Sequence, residues 1–162
     1  NSPREFTRDR VEGKTLVMST TNGTHLMSLT GGASRVFIGS LLNLRAVVDE
    51  LARMEAEPVF ICSGREKHFA LEDAACAGLM ASRLMAARPG EWEHNDGALA
   101  ALALSREFPP ATELFLTTAA GRAVQAAGMA EDLDFCARVD TLDIVPVLHE
   151  RTITLNQAPV AS

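Results

Sequence analysis

Short runs of β-branched and aromatic residues alternate with stretches whose apolar residues recur at helical spacing, and this alternation most limits what the chain can fold into. Residues 15–19, 35–38, 58–62 and 144–148 are strand-sized and rich in Val, Ile and Phe. Residues 41–54 place Leu44, Val47, Val48 and Leu51 on one helical face, with Ser40 as N-cap. Residues 70–87 predict a second helix with a small-residue stripe (Leu71, Ala75, Gly78, Leu79, Ser82) suited to packing against a sheet. A third helix covers 95–108, capped by Asn95 or Asp96, and 111–127 holds one or two more, broken near Gly121. Apolar strands joined by a helix make a βαβ unit, right-handed if the strands are parallel. Near-continuous apolar runs suit strands covered on both faces. The expected fold is therefore α/β: a three-layer α/β/α sandwich with a mostly parallel or mixed sheet. It forms one domain over residues 1–155, with a tail at 156–162.

Composition narrows the class. A chain of 162 residues with 47% hydrophobic and 22% charged residues can bury a sizeable core. A net charge of -6 argues against a nucleic-acid partner, which calls for a basic face. The longest mainly apolar stretch, 98–104, is far short of the roughly 20 residues a membrane span needs. Cys62, Cys76 and Cys136 sit among apolar neighbours without a CxxC pair, so buried, reduced thiols and a cytoplasmic setting are expected. The four histidines lack ligand-type spacing, which argues against a histidine-based zinc site.

In α/β sheets, ligands collect outside the carboxyl ends of strands. Three such ends carry small and polar residues: Ser19 to Thr24, Gly39-Ser40 with Asn43, and Ser63-Gly64. In the first, Thr20, Thr21 and Thr24 supply hydroxyl donors, and Asn22-Gly23 lets backbone approach an oxyanion. A plain capped turn would use the same residues. Glu72-Asp73, near the start of a helix, suits the helix dipole, and equally suits Mg²⁺, which takes one or two carboxylates plus substrate oxygens. Neighbours on a helix lie about 100° apart, so only one of the pair faces the crevice. His94-Asn95-Asp96 offers a further carboxylate or a helix cap. Arg65, Lys67 and Arg122 can neutralise a phosphate or simply be solvated. GxxxxGK[ST], GxSxG and HExxH are all absent.

Taken in order, Asn1-Ser2-Pro3, Thr20-Thr21-Asn22-Gly23-Thr24, Gly39-Ser40 with Asn43, Cys62-Ser63-Gly64, and Phe69-Ala70-Leu71-Glu72-Asp73-Ala74 with Cys76-Ala77-Gly78 resemble the 2-phosphosulfolactate phosphatase family. Asn95-Asp96, Gly121-Arg122, Phe135-Cys136-Ala137 and Val145-Pro146 extend the likeness to about Leu155. The resemblance implies an α/β/α fold and Mg²⁺-dependent hydrolysis of 2-phospho-3-sulfolactate to 3-sulfolactate and phosphate, a step toward coenzyme M. The substrate is thus a small phosphorylated and sulfonated acid. By the same resemblance, Thr20 to Thr24 and Ser63-Gly64 line the site, and Glu72 and Asp73 are its acidic pair, serving metal and catalysis. Ser40, Asn43 and Arg122 are added as substrate-binding candidates. No residue is singled out as general base.

Two departures qualify the likeness. Ala120 stands where the family usually has a His before Gly-Arg, and nothing here matches the family's N-terminal Asp-Val-Leu-Arg-Ala-Thr motif. The chain therefore resembles the larger, C-terminal part. An incomplete site, an uncovered apolar face and self-association into a homo-oligomer are expected. A non-catalytic anion-binding module derived from the same family is the alternative.

Overall fold

A computed structural model describes residues 2–20 and 22–155. Thr21 of the threonine-rich turn and the tail at 156–162 lie outside the described residues. In chain order the elements are α1 (Arg8–Val11), α2 (Gly23–Ser28), β1 (Val36–Phe37), α3 (Leu44–Ala52), α4 (Leu71–Ala87), α5 (Asp96–Glu107), α6 (Thr112–Thr117), α7 (Ala119–Ala126), α8 (Glu131–Cys136), β2 (Pro146–His149) and β3 (Thr152–Leu155). Single 3₁₀ turns at Pro3–Glu5 and Leu41–Asn43 precede α1 and α3.

The long helices form where apolar spacing and caps put them. Asn95 opens α5 by accepting the Ala98 N–H at 2.8 Å, satisfying a donor that the helix leaves orphaned. The break in the next helical stretch falls at Thr118 rather than near Gly121. Thr118 Oγ1 caps α7 by accepting the Gly121 N–H at 3.1 Å. Gly121 has a different task, because a Cβ there would lie 1.6 Å from the Phe115 carbonyl oxygen, where α6 and α7 touch backbone to backbone.

Described strands pair only antiparallel, in the order β1-β2-β3. Val36 faces Leu148, Phe37 faces Val147, and β2 turns into β3 through Glu150 at positive φ. The described residues are thus a mixture of helix and sheet, as an α/β chain requires, and the sheet that they form is antiparallel where a mostly parallel or mixed one is expected. Segments 15–19 and 58–62 form no strand, and Val17 and Val59 are 97% and 84% exposed. β propensity reports how well a side chain fits a pleated, half-covered surface, so without a neighbouring strand such a run has nothing to pair with. β3 lies outside the four strand-sized runs, although its Thr-Ile-Thr-Leu does alternate.

Leu41, Leu44, Val47, Val48 and Leu51 meet Met80 and Leu84 in the core between α3 and α4. Burying a Leu or Val side chain contributes about 1.5–3 kcal/mol. The opposite side of α4 lies along α5, so its small-residue stripe serves a helix rather than a sheet. A Cβ at Gly78 would come within 1.9 Å of the Ala101 carbonyl oxygen. Asn43 is buried and clips two remote segments together. Its Nδ2 donates to the Ile38 and Ile144 carbonyls, both at 3.1 Å. Asp140 joins α3 to α4, accepting from the Arg45 N–H at 2.6 Å and from Arg83 Nη1 at 2.5 Å. No helix among the described residues is long and apolar enough to cross a membrane.

Candidate active site

The carboxylate of Asp73, in the first turn of α4, organises the neighbouring loop. Its Oδ2 accepts the Gly64 N–H at 2.8 Å and the Ser63 hydroxyl at 3.2 Å. Gly64 must be glycine on two counts. Its φ is +66°, and a Cβ would lie 2.6 Å from the His68 carbonyl oxygen. Chain direction reverses just after it. Arg65 and His68 exchange backbone hydrogen bonds of 3.0 and 2.8 Å, leaving Glu66 and Lys67 between them at positive φ.

Asn22 ties this loop to α2, its Oδ1 accepting the Glu66 N–H at 2.9 Å. At the start of α2, Thr20 and Thr24 interlock. Thr20 Oγ1 accepts the Thr24 N–H at 3.2 Å, and the Thr24 hydroxyl donates to the Thr20 carbonyl at 2.6 Å. The hydroxyl hydrogen of Thr24 is thereby committed, whereas that of Thr20 has no acceptor among the described residues. Gly23 lets the two threonines approach, since a Cβ on it would lie 3.2 Å from Thr20 Oγ1. Asn22, Ser63, Glu66 and Lys67 line a cavity of about 480 Å³ together with His25 and Leu26.

The structure thus brings Asn22, Gly23, Ser63, Gly64 and Asp73 into one connected group, with Thr20 and Thr24 beside them. Glu72 precedes Asp73 on α4 and is half-buried. Ser40 and Asn43 form a separate unit. Asn43 Oδ1 accepts both the Ser40 N–H and the Ser40 hydroxyl, at 2.8 and 3.0 Å, while its Nδ2 holds the two carbonyls already described. Arg122 lies on α7, where its Nη1 donates to the Thr117 carbonyl at 2.5 Å. Arg65 reaches the same helix and donates to the Ala119 carbonyl.

Among the described residues, no three His, Cys, Asp or Glu side chains gather into a metal cage. Mg²⁺ needs less, because it keeps several waters and takes one or two carboxylates with substrate oxygens. Asp73 fits that role. Both of its described donors sit on Oδ2, and Oδ1 has no donor among the described residues. The charge of Asp73 is felt by its neighbours. Burial, then Asp73, then Cys62 push the Cys76 thiol up to about 12. Burial and then Asp73 raise Cys62 as well, although Cys62 is exposed rather than buried as its apolar neighbours suggest. All three cysteines are free thiols. His94 has other partners, with Nδ1 2.9 Å from the Trp92 carbonyl and Nε2 3.4 Å from the Met85 sulfur. The Arg65–His68 turn escaped sequence reasoning because Glu-Lys is not a hairpin pair, and the only cue was four charged or basic residues directly after Ser63-Gly64.

The sequence model of the 2-phosphosulpholactate phosphatase family matches residues 1–151. The chain is 40% identical over 156 residues to a protein of Symbiobacterium thermophilum named "Probable 2-phosphosulfolactate phosphatase", covering 96% of this chain and 66% of that protein. Similar proteins of the same name occur in Thermus thermophilus (39% identity, 93% of this chain, 64% of the relative) and Carboxydothermus hydrogenoformans (35% identity, 92% and 60%). The chain spans somewhat less than two thirds of the length of these relatives.

Proposed function

From a chain that belongs to the 2-phosphosulpholactate phosphatase family, we infer a phosphoric monoester hydrolase that converts 2-phospho-3-sulfolactate to 3-sulfolactate and phosphate, as on the route to coenzyme M. The observation that carries this reading is the Asp73 carboxylate holding the Ser63-Gly64 loop beside the Asn22–Gly23 turn. Two polar loops that share one cavity, with an acid bonded to one of them, suit a phosphoryl group, which needs donors for its oxygens and an acid to retain a counter-cation.

The Ser63 hydroxyl and Thr20 hydroxyl would bind phosphoryl oxygens, and Gly23 and Gly64 would let backbone come close to them. Asp73, with Glu72 next to it, would hold Mg²⁺. Bound Mg²⁺ supplies charge neutralisation at the phosphoryl oxygens and a pole against which substrate is oriented. Asp73 has a second duty, since the hydrogen bonds to its Oδ2 keep the loop in place. A water attacks phosphorus and the lactate oxygen leaves, with donors on the two loops stabilising the charge that develops. Arg122 would contribute only by leaving its Thr117 contact, and Ser40 with Asn43 would act through the strand ends that they fix.

The proposal extends to the surroundings. Free thiols favour a reducing, cytoplasmic setting. The exposed apolar segments 15–19 and 58–62 would pair as strands of a three-layer α/β/α sandwich when covered, and in their uncovered form they favour self-association into homo-oligomers. Asp73 also supports the alternative, a non-catalytic anion-binding module, because its hydrogen bonds maintain the loop without any metal.

Phosphate release from 2-phospho-3-sulfolactate with Mg²⁺, against a chelator control, decides between the two. Release that chelation abolishes is the expected result. Binding of 3-sulfolactate and phosphate with no release, at any Mg²⁺ concentration, would establish the binding module instead.

A further inference from the structure

The Arg65–His68 turn has chemistry that phosphoryl binding leaves unused. Its two mutual backbone bonds make Glu66 and Lys67 the central pair of a two-residue hairpin turn, with φ of 51° and 66°. Turns of this kind ordinarily carry Asn-Gly or Asp-Gly, because both central residues need positive φ. Here a charged pair occupies them instead, at a cost in backbone energy that Gly would avoid. Asn22 holds the turn through the Glu66 N–H.

Charges on the turn are not balanced. The Glu66 carboxylate lies 3.6 Å from Arg65, but Lys67 has no ion-pair partner among the described residues. Lys67 and His25 line the cavity that Ser63 also lines. In a chain of net charge -6, this wall, which also carries the Arg65-paired Glu66, holds a lysine without an ion-pair partner among the described residues beside the proposed phosphoryl site.

We propose that Lys67, with His25, forms a second oxyanion subsite that grips the sulfonate of the substrate while the Ser63-Gly64 loop and Asp73 serve its phosphoryl end. This rests on the phosphatase reading for the identity of the ligand. A phosphorylated sulfonated acid carries two separated anionic heads, and a cavity of about 480 Å³ has room for both. An ammonium on a turn that Asn22 keeps fixed meets the second head without a large ordering cost. Lys67 is then a specificity-determining residue, and the strained turn is what aims it.

Lys67→Gly is the informative variant, since it removes the charge and relieves the backbone together. It should melt at or above the wild-type temperature. Losing one charge-assisted hydrogen bond should weaken 3-sulfolactate binding, followed by NMR titration, about 10–100-fold. Selectivity for 2-phospho-3-sulfolactate over 2-phospholactate, which lacks the sulfonate, should fall by a similar factor, with Lys67→Arg recovering most of it. Unchanged 3-sulfolactate affinity in Lys67→Gly would overturn the subsite. So would an equal loss for both phosphate esters, which would place Lys67 at the phosphoryl group. A wild-type chain that binds 3-sulfolactate through Lys67 but releases no phosphate would refute the phosphatase reading and leave the subsite standing.

Discussion

Asp73 Oδ2 lies 2.8 Å from the amide nitrogen of Gly64, so the acid proposed to hold a metal is also the latch of the loop proposed to hold the phosphate. The two duties separate by mutation. Asp73→Asn keeps an oxygen for the Gly64 and Ser63 donors but loses the charge, while Glu72→Gln leaves the latch intact. Both variants should raise the Mg²⁺ concentration needed for phosphate release, and Asp73→Asn should do so more. Asp73→Asn alone should also lower the Cys76 pKa from about 12, read as faster alkylation at alkaline pH. Wild-type metal titrations in both variants would sink the assignment.

The interlocked threonines make opposite predictions for two similar substitutions. Thr20→Val removes the hydroxyl with an uncommitted hydrogen, and should weaken inorganic phosphate binding by about 1.5–3 kcal/mol in a calorimetric titration. Thr24→Val removes a hydroxyl already spent on the Thr20 carbonyl. Its main effect should be on the melting temperature, with a loss of about 0.5–1.5 kcal/mol. The reverse ranking in the phosphate titration would show that the anion does not meet this turn through Thr20.

Acid should loosen the α3–α4 junction through Asp140. Burial raises its pKa, but the Arg83 hydrogen bond, the Arg45 N–H and the two guanidinium charges together outweigh burial and hold it below the ordinary carboxylate value. A carboxyl lowered in the folded state contributes fully above its unfolded pKa of about 3.9, and that contribution is lost as pH falls through the folded value. Asp140→Asn should therefore lower stability near neutral pH, and its difference from wild type should shrink as pH falls below the unfolded carboxylate value, as followed by denaturant melts across pH. Asn tolerates the positive φ at this position, so the backbone is left undisturbed.

Self-association should run through segment 58–62. Val59 and Ile61 are exposed large hydrophobics, and static light scattering should show mass rising with concentration. Replacing both by Thr keeps β propensity while removing apolar surface, and should restore a monomer. A monodisperse wild-type monomer at high concentration would exclude this face as sticky.

Helices were legible in the sequence because their signals are local. Leu44, Val47, Val48 and Leu51 repeat within α3 itself, and the Asn95 cap lies three residues from the amide it serves. Strands were less so, since 15–19 and 58–62 have the composition but depend on neighbours that composition does not supply. Gly78 marks close packing in the sequence, yet nothing in the stripe distinguishes a helix partner from a sheet. At the site, Ser63-Gly64 and Asp73 stood out as separate motifs. That one binds the other, and that Asn22 reaches Glu66, follows from tertiary geometry alone.

Asn43 holds Ile38 and Ile144 with a single amide, across a sequence separation of 101 residues between itself and the later carbonyl. Closing so long a loop demands chain entropy that no local element repays in advance. The α4–α5 pair, joined by a short connection, can assemble early on its own contacts. The sheet waits for β2 to leave the ribosome, and Asn43 can fasten it only then. A nascent chain stopped before Ile144 therefore presents α3 and β1 without their clasp, which makes the arrival of Ile144 and β2 the step at which the folded state is committed.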